Sequence, residues 1–235
     1  MNPSPLWYRM RGTMILLIVF LSFQLAYGLS TYFHQPTQPT AWQLAAHSYA
    51  RFRAILAIGA FFAIVAFLMR IWGAAYLRAA IVWARDASAT QLIVAGPFRY
   101  VRNPLYLGNL LALPWIALFI PPVGISILAV GTILFLAALS RYEGEILHRR
   151  FATEYERYAQ QVPALVPRLF PIAEDPLAPK ADWREGLRSE LFMLSFAIVA
   201  ILFAIDPKLI ELQWIWVIPF VAFVAQWLFT RARDR

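Results

Sequence analysis

Gly96-Pro97-Phe98-Arg99-Tyr100-Val101-Arg102-Asn103-Pro104-Leu105-Tyr106-Leu107-Gly108 packs turn formers, cations and aromatics directly against a long apolar run. From Leu105 to Leu139 no residue is charged. As one α-helix that run would be roughly 50 Å long, well beyond the ~30 Å hydrocarbon layer of a bilayer. Pro121-Pro122 sits near its middle, where two missing backbone donors stop a helix. The run therefore predicts a hairpin of two short membrane helices, Leu105–Ile120 and Val123–Leu139. That hairpin sets the fold class: an all-α, polytopic membrane bundle.

Composition agrees. Of the 235 residues, 61% are hydrophobic and only 14% charged, where a soluble domain carries about a quarter charged. There is no cysteine, hence no disulfide, thiol nucleophile or zinc–thiolate site, and His34, His47 and His148 are too scattered to form a ligand pair at helical spacing. No metal is expected. The net charge is +8, and all 21 cations are arginine except Lys180 and Lys208. These arginines flank apolar segments, which suits membrane topology and anionic headgroups; no nucleic-acid partner is expected.

Outward from the hairpin, Thr13–Leu29 reads as the first span, too long for a signal-peptide core. Residues 31–50, with Pro36 and Pro39, read as a loop. Ala54–Met69 reads as the second span, extending toward Leu77 with Arg70 snorkelling or pairing. Residues 78–90 should lie at the interface. After Ser140, residues Leu147, Phe151, Tyr155, Tyr158 and Val162 recur at helical spacing among charges, predicting an amphipathic helix that ends before Pro163. Residues 163–189, with five prolines, read as extended and surface-hugging. Leu191–Ile205 and Leu212–Thr230 complete six spans, which place the N-terminus, residues 70–102, residues 141–188 and the tail on one side, the cytoplasmic one. The expected division is 1–80 for the first helices, 81–170 for a catalytic core and 171–235 for the C-terminal linker and helices. A bacterial inner membrane is the expected location.

Two clusters carry chemistry. Arg102-Asn103-Pro104 should start the third span, asparagine being a favoured cap and proline a favoured first residue. A helix N-terminus beside arginines attracts a carboxylate or phosphate. On the residues alone, lipid phosphate contact and simple capping are the favoured reading. Arg141, Glu143 and Glu145 fall where the hairpin returns to the same face, so a carboxylate there could hold an ammonium; an ordinary surface ion pair remains the alternative.

Together the clusters resemble a family. The stretch from Gly96 to Gly108 is similar to the G-P-Y-x-x-x-R-H/N-P-x-Y-x-G box of integral membrane isoprenylcysteine carboxyl methyltransferases and the related phospholipid methyltransferases. Glu143-Gly144-Glu145-Ile146-Leu147, with Phe151, Tyr155, Tyr158, Val162 and Pro163, resembles the second box, E-E-x-x-L-x-x-x-F-G-x-x-Y-x-x-Y-x-x-x-V-P. The resemblance covers about residues 70–170. In three places the chain departs from it. Asn103 stands at a position where the eukaryotic enzymes carry histidine, Gly144 replaces the second glutamate, and Ala152 replaces the glycine after Phe151, a change expected to cost little.

The resemblance implies an S-adenosylmethionine site at the cytoplasmic face, open sideways to lipid. By position, Thr90, Gln91, Leu92, Ile93 and Phe98 would contact the cofactor. Arg102, Asn103, Pro104, Leu105 and Tyr106 would form the anion end of its site, and Glu143 would take its amino group. Arg141 is a weaker candidate for orienting substrate, and Trp83 and Asp86 are neighbours in sequence only. The expected activity is methyl transfer to a lipophilic substrate, at a carboxylate, which needs no general base. Phospholipid or amine N-methylation, an NADPH-dependent reductase of sterol-reductase type, and a non-catalytic protein keeping the fold are the alternatives. Membrane lipids are the expected partners.

Overall fold

A computed structural model describes residues 5–32, 39–41, 43, 48–77, 91–173 and 178–233. Its elements are α1 (Leu6–Arg9), α2 (Arg11–Tyr32), α3 (Tyr49–Tyr76), a 3-10 turn (Gly96–Arg99), α4 (Pro104–Ala117), α5 (Pro122–Gln161), α6 (Trp183–Ser189), α7 (Leu191–Ile205), two 3-10 turns (Pro207–Glu211 and Gln213–Trp216) and α8 (Val217–Arg233). No strand occurs among the described residues, so the all-α class holds.

The hairpin forms as its prolines dictate. α4 opens on Pro104 with Leu107 N–H donating to the Asn103 carbonyl at 3.0 Å, and α5 opens on Pro122 after Pro121 in an extended conformation. The downstream helix, however, does not end at Leu139. It continues as one 40-residue element to Gln161, because the residues after Ser140 are mostly strong helix formers with no proline until Pro163. A single break interrupts it at Ala152, with φ 39° and ψ −114°. Residues 183–189, expected to be extended, form α6 instead, because Asp182 caps them by accepting from the Glu185 amide at 3.0 Å.

Among the described residues, the count of six spans is not reached by length and composition. Arg11–Leu29, α3 and α5 qualify, and α6 with α7 would make a fourth if that pair, bent by 74°, is one span. Pro104–Ala117 and Val217–Gln226 are apolar but shorter. Short helices suit a thinned bilayer or protein shielding.

α3 is the hub, packing against α4, α6 and α7, while α2 packs on α5 and α8 on α7. Leu56, Ala60 and Ala63 of α3 meet Trp115 of α4 and Val199, Ala200 and Phe203 of α7 in the main core. Small residues let these helices approach: a Cβ on Gly59 would lie 2.8 Å from the Trp115 ring, and one on Gly108 would meet the Arg70 stem.

Arg70 does pair, as its place in an apolar helix requires. Its Nε and Nη2 donate to Glu190 Oε2 and Oε1 at 2.6 and 2.8 Å, and its Nη1 donates to Asn109 Oδ1 at 2.8 Å and the Leu105 carbonyl at 3.2 Å. Glu190 is 1% exposed. One guanidinium thus ties α3, the first turn of α4 and the α6–α7 junction together.

Candidate active site

The two sequence boxes are hydrogen-bonded to one another. Tyr158 on α5 donates its hydroxyl to the Phe98 carbonyl at 2.7 Å. The Tyr155 hydroxyl accepts from Arg102 Nη1 at 2.9 Å, and the Arg102 amide donates to the Pro163 carbonyl, also at 2.9 Å. Tyr155, Tyr158 and Val162 are buried against Leu92, Val94, Leu147 and Phe151. The helical spacing of the second box therefore exists to clamp the first.

Between them lies a cavity of about 190 Å³. Its walls include Gln91, Leu92, Ile93, Phe98, Arg102, Asn103, Pro104, Leu105, Tyr106 and Glu143, bringing together most of the residues singled out in sequence. Arg141 is exposed and does not line it. Thr90 lies outside the described residues, as do Trp83 and Asp86.

Glu143 sits where α5 emerges from its apolar run. Its Oε1 accepts from the hydroxyls of Tyr106 at 2.6 Å and Tyr8 at 2.8 Å. Both bonds fall on one oxygen, so neither engages Oε2, and Glu143 is part of the cavity wall. Tyr8 is 3% exposed; burial, reinforced by the Glu143 carboxyl, holds its hydroxyl well above the ordinary phenol range. It therefore stays protonated and donates.

Arg102, also on the cavity wall, presents its guanidinium 5.9 Å from the Tyr155 ring centroid, and its Nε is buried without a hydrogen-bond partner. A buried donor left unmade is costly, so Arg102 is a strained member of the cavity wall. The amides of Leu105 and Tyr106, in the first turn of α4, have no intrahelical partner by position.

Asn103 differs from expectation. Its backbone occupies the cap position, but its side chain does not cap. Instead Nδ2 donates to Ser140 Oγ at 2.8 Å and to the Ala164 carbonyl at 2.9 Å. Both amide protons are used within the protein, so this residue joins elements while also lining the cavity.

Ala152 is a second correction. Its positive φ lies in a region that L-residues rarely adopt, so alanine in place of glycine carries strain of about 1–3 kcal/mol. Gly144 has a steric reason: a Cβ there would meet the Tyr155 hydroxyl at 2.7 Å, the group that holds Arg102.

Sequence reasoning missed Tyr8 and Arg11, both of which line the cavity. Arg11 lies 4.6 Å over the Tyr8 ring. The only signal for them was topological, since the positive-inside argument put the N-terminus on the side of Asn103 and Glu143.

Residues 54–154 match the phospholipid methyltransferase family. The nickel-cobalt-cadmium resistance protein NccN of Alcaligenes xylosoxydans xylosoxydans is 28% identical over 149 residues, covering 62% of this chain and 66% of that protein, just under two thirds of its length. No solved structure matches the chain. The family match over residues 54–154 agrees with the resemblance carried by the two boxes.

Proposed function

We propose that this protein is an S-adenosylmethionine-dependent methyltransferase that takes its acceptor from the lipid phase. The observation that supports this most directly is the charge layout of one cavity. Glu143, its Oε1 held by two phenols, and Arg102, its Nε buried and unpartnered, both line it. A zwitterionic amino-acid group matches that pair, the carboxylate to Arg102 and the first turn of α4, the ammonium to Glu143. The residues present thus fit the cofactor.

When bound, S-adenosylmethionine supplies an electrophilic methyl group on a sulfonium. The chain's own residues position and exclude. Tyr8 and Tyr106 fix the Glu143 carboxylate, and Tyr158 and Tyr155 lock Phe98 and Arg102. Apolar walls at Leu92, Ile93, Leu105 and Leu147 keep water out. Alignment and dryness contribute much of the barrier reduction in an in-line displacement.

The acceptor is proposed to be a lipophilic carboxylate. Tyr8 is held protonated, so it supplies no base, and a carboxylate is already ionised. Arg11, at the cavity wall, is better placed than the exposed Arg141 to meet an anionic acceptor. Amine N-methylation is the second reading, favoured by the printed family description, phospholipid methyltransferase. The cytoplasmic placement of both termini and of this cavity, in a bacterial inner membrane, belongs to the same proposal.

Equilibrium binding of S-adenosylmethionine to the purified protein in detergent is the first test, and micromolar affinity is expected. NADPH binding in its place would overturn the reading. A methylation assay on a lipid extract, with mass-spectrometric identification of the product, distinguishes an ester from an N-methyl product.

A further inference from the structure

The segment that follows α5 turns its apolar side chains outward. Val166 is 75% exposed, Leu169 89% and Phe170 76%. Slack chain does not explain this exposure, because the backbone on either side is pinned. The amides of Arg102 and Asn103 donate to the carbonyls of Pro163 and Ala164 at 2.9 and 3.2 Å, and those of Arg168 and Ile172 donate to Tyr100 and Arg99 at 3.0 and 3.2 Å. Arg99 Nε adds a 2.8 Å bond to the Ile172 carbonyl.

The level of the segment follows from Asn103. Its one side-chain nitrogen donates to both Ser140 Oγ and the Ala164 carbonyl. Ser140 is where the uncharged run ends, so Ala164 lies where α5 leaves the hydrocarbon layer. Trp72 and Tyr100 contact each other at this end of α3, with ring centroids 5.8 Å apart, as aromatics do at a membrane surface. Pro163, Pro167 and Pro171 have no amide proton, which reduces the backbone donors that would lose water on insertion. Between Arg157 and Ala173 the only charged residue is Arg168, with no acid, which suits phosphate headgroups.

We propose that Val166, Leu169 and Phe170 form a wedge inserted into the acyl region of the phospholipid bilayer, with Arg168 at phosphate level. The same backbone bonds hold Arg102 and Asn103, so the wedge seats the rim of the cavity at the bilayer surface. This inference stands on burial and hydrogen bonding and is independent of the methyl-transfer reading.

The chain has no cysteine, so Leu169→Cys in the full-length protein gives a single labelling site. A nitroxide there, in phosphatidylcholine–phosphatidylglycerol vesicles, is tested for collision with oxygen and with a water-soluble nickel chelate. Leu134→Cys on the exposed apolar face of α5 serves as the lipid reference, and Arg157→Cys as the aqueous one. The wedge predicts that position 169 favours oxygen, as position 134 does, and that Phe170→Cys behaves likewise. A profile like that of position 157 overturns it. So does shielding from both reagents, which would mean a protein partner covers the loop.

Discussion

Tyr8 and Glu143, 135 residues apart, share a 2.8 Å hydrogen bond that brings the N-terminal helix to the cavity wall. Tyr106 donates to the same carboxylate oxygen at 2.6 Å, so the carboxyl is oriented by two phenols through one oxygen, and its other oxygen makes neither bond. If that oxygen holds the cofactor's ammonium, Glu143→Ala removes a charge-assisted contact of about 1.5–3 kcal/mol, a loss of roughly tenfold or more in affinity. Titration calorimetry with S-adenosylmethionine measures it. Unchanged affinity in a folded variant would remove Glu143 from the site.

Tyr8→Phe keeps the ring, with its contacts to Trp7 and Tyr142, and deletes only the hydroxyl. A positioning role predicts an affinity loss of about 3- to 10-fold, matching a single hydrogen bond of ~1 kcal/mol. In a Glu143→Ala background the same change should have little further effect, since the acceptor of the Tyr8 hydroxyl is already gone. Additive losses in that double-mutant cycle would mean Tyr8 acts independently of Glu143.

The fold was legible wherever the cause is local. Pro121-Pro122 stops a helix by its own chemistry, and the hairpin formed there. Leu191–Ile205 was bounded by the change to Asp206-Pro207, and the observed helix has the same limits. Arg70 announced a partner by being charged inside an apolar helix, but Glu190 is 120 residues away and nothing in either stretch names the other. The cavity wall from Gln91 to Glu143 was legible only because two boxes were read together. Tyr8 contacts that wall through tertiary packing, which leaves no periodic trace. Asn103 and Ala152 were misread for opposite reasons: a favoured cap residue had stronger partners elsewhere, and a seemingly mild substitution falls where φ is positive.

Ala152→Gly tests that second point. Glycine adopts positive φ without a Cβ penalty, so relief of the strain should stabilise the protein by about 1 kcal/mol, net of glycine's greater unfolded-state entropy. The exposed side chain of Ala152 contributes no core packing to offset the gain. A rise in the thermal midpoint in detergent is expected, and a fall would mean the helix break is not held at this residue.

Glu190→Ala leaves the Arg70 guanidinium without its bidentate partner in a buried position. Removing one member of such a pair costs about 3–5 kcal/mol. Because Arg70 also donates to the Leu105 carbonyl, the first turn of α4 should loosen with it. The variant should unfold at lower temperature and bind S-adenosylmethionine more weakly. Replacing both members by methionine should recover much of the stability.

Asn103 offers the sharpest discrimination between a cap and a joint. A capping asparagine works through its oxygen, so Asn103→Asp would keep the cap and leave stability near that of the parent. A joint works through its nitrogen, which here donates to Ser140 Oγ and the Ala164 carbonyl. Aspartate cannot donate, and it would place a carboxylate oxygen against the Ala164 carbonyl; the Ser140 hydroxyl can turn to donate in return, but the carbonyl cannot. Asn103→Asp should therefore be no better than Asn103→Ala, each losing about 1–3 kcal/mol. Histidine retains an N–H at this position and can satisfy one of the two acceptors, so Asn103→His should fall between aspartate and the parent. Thermal unfolding of the three variants in one detergent ranks them. If aspartate matches the parent while alanine falls, the side chain caps α4 after all, and the join between the hairpin and the wedge segment rests on backbone bonds alone.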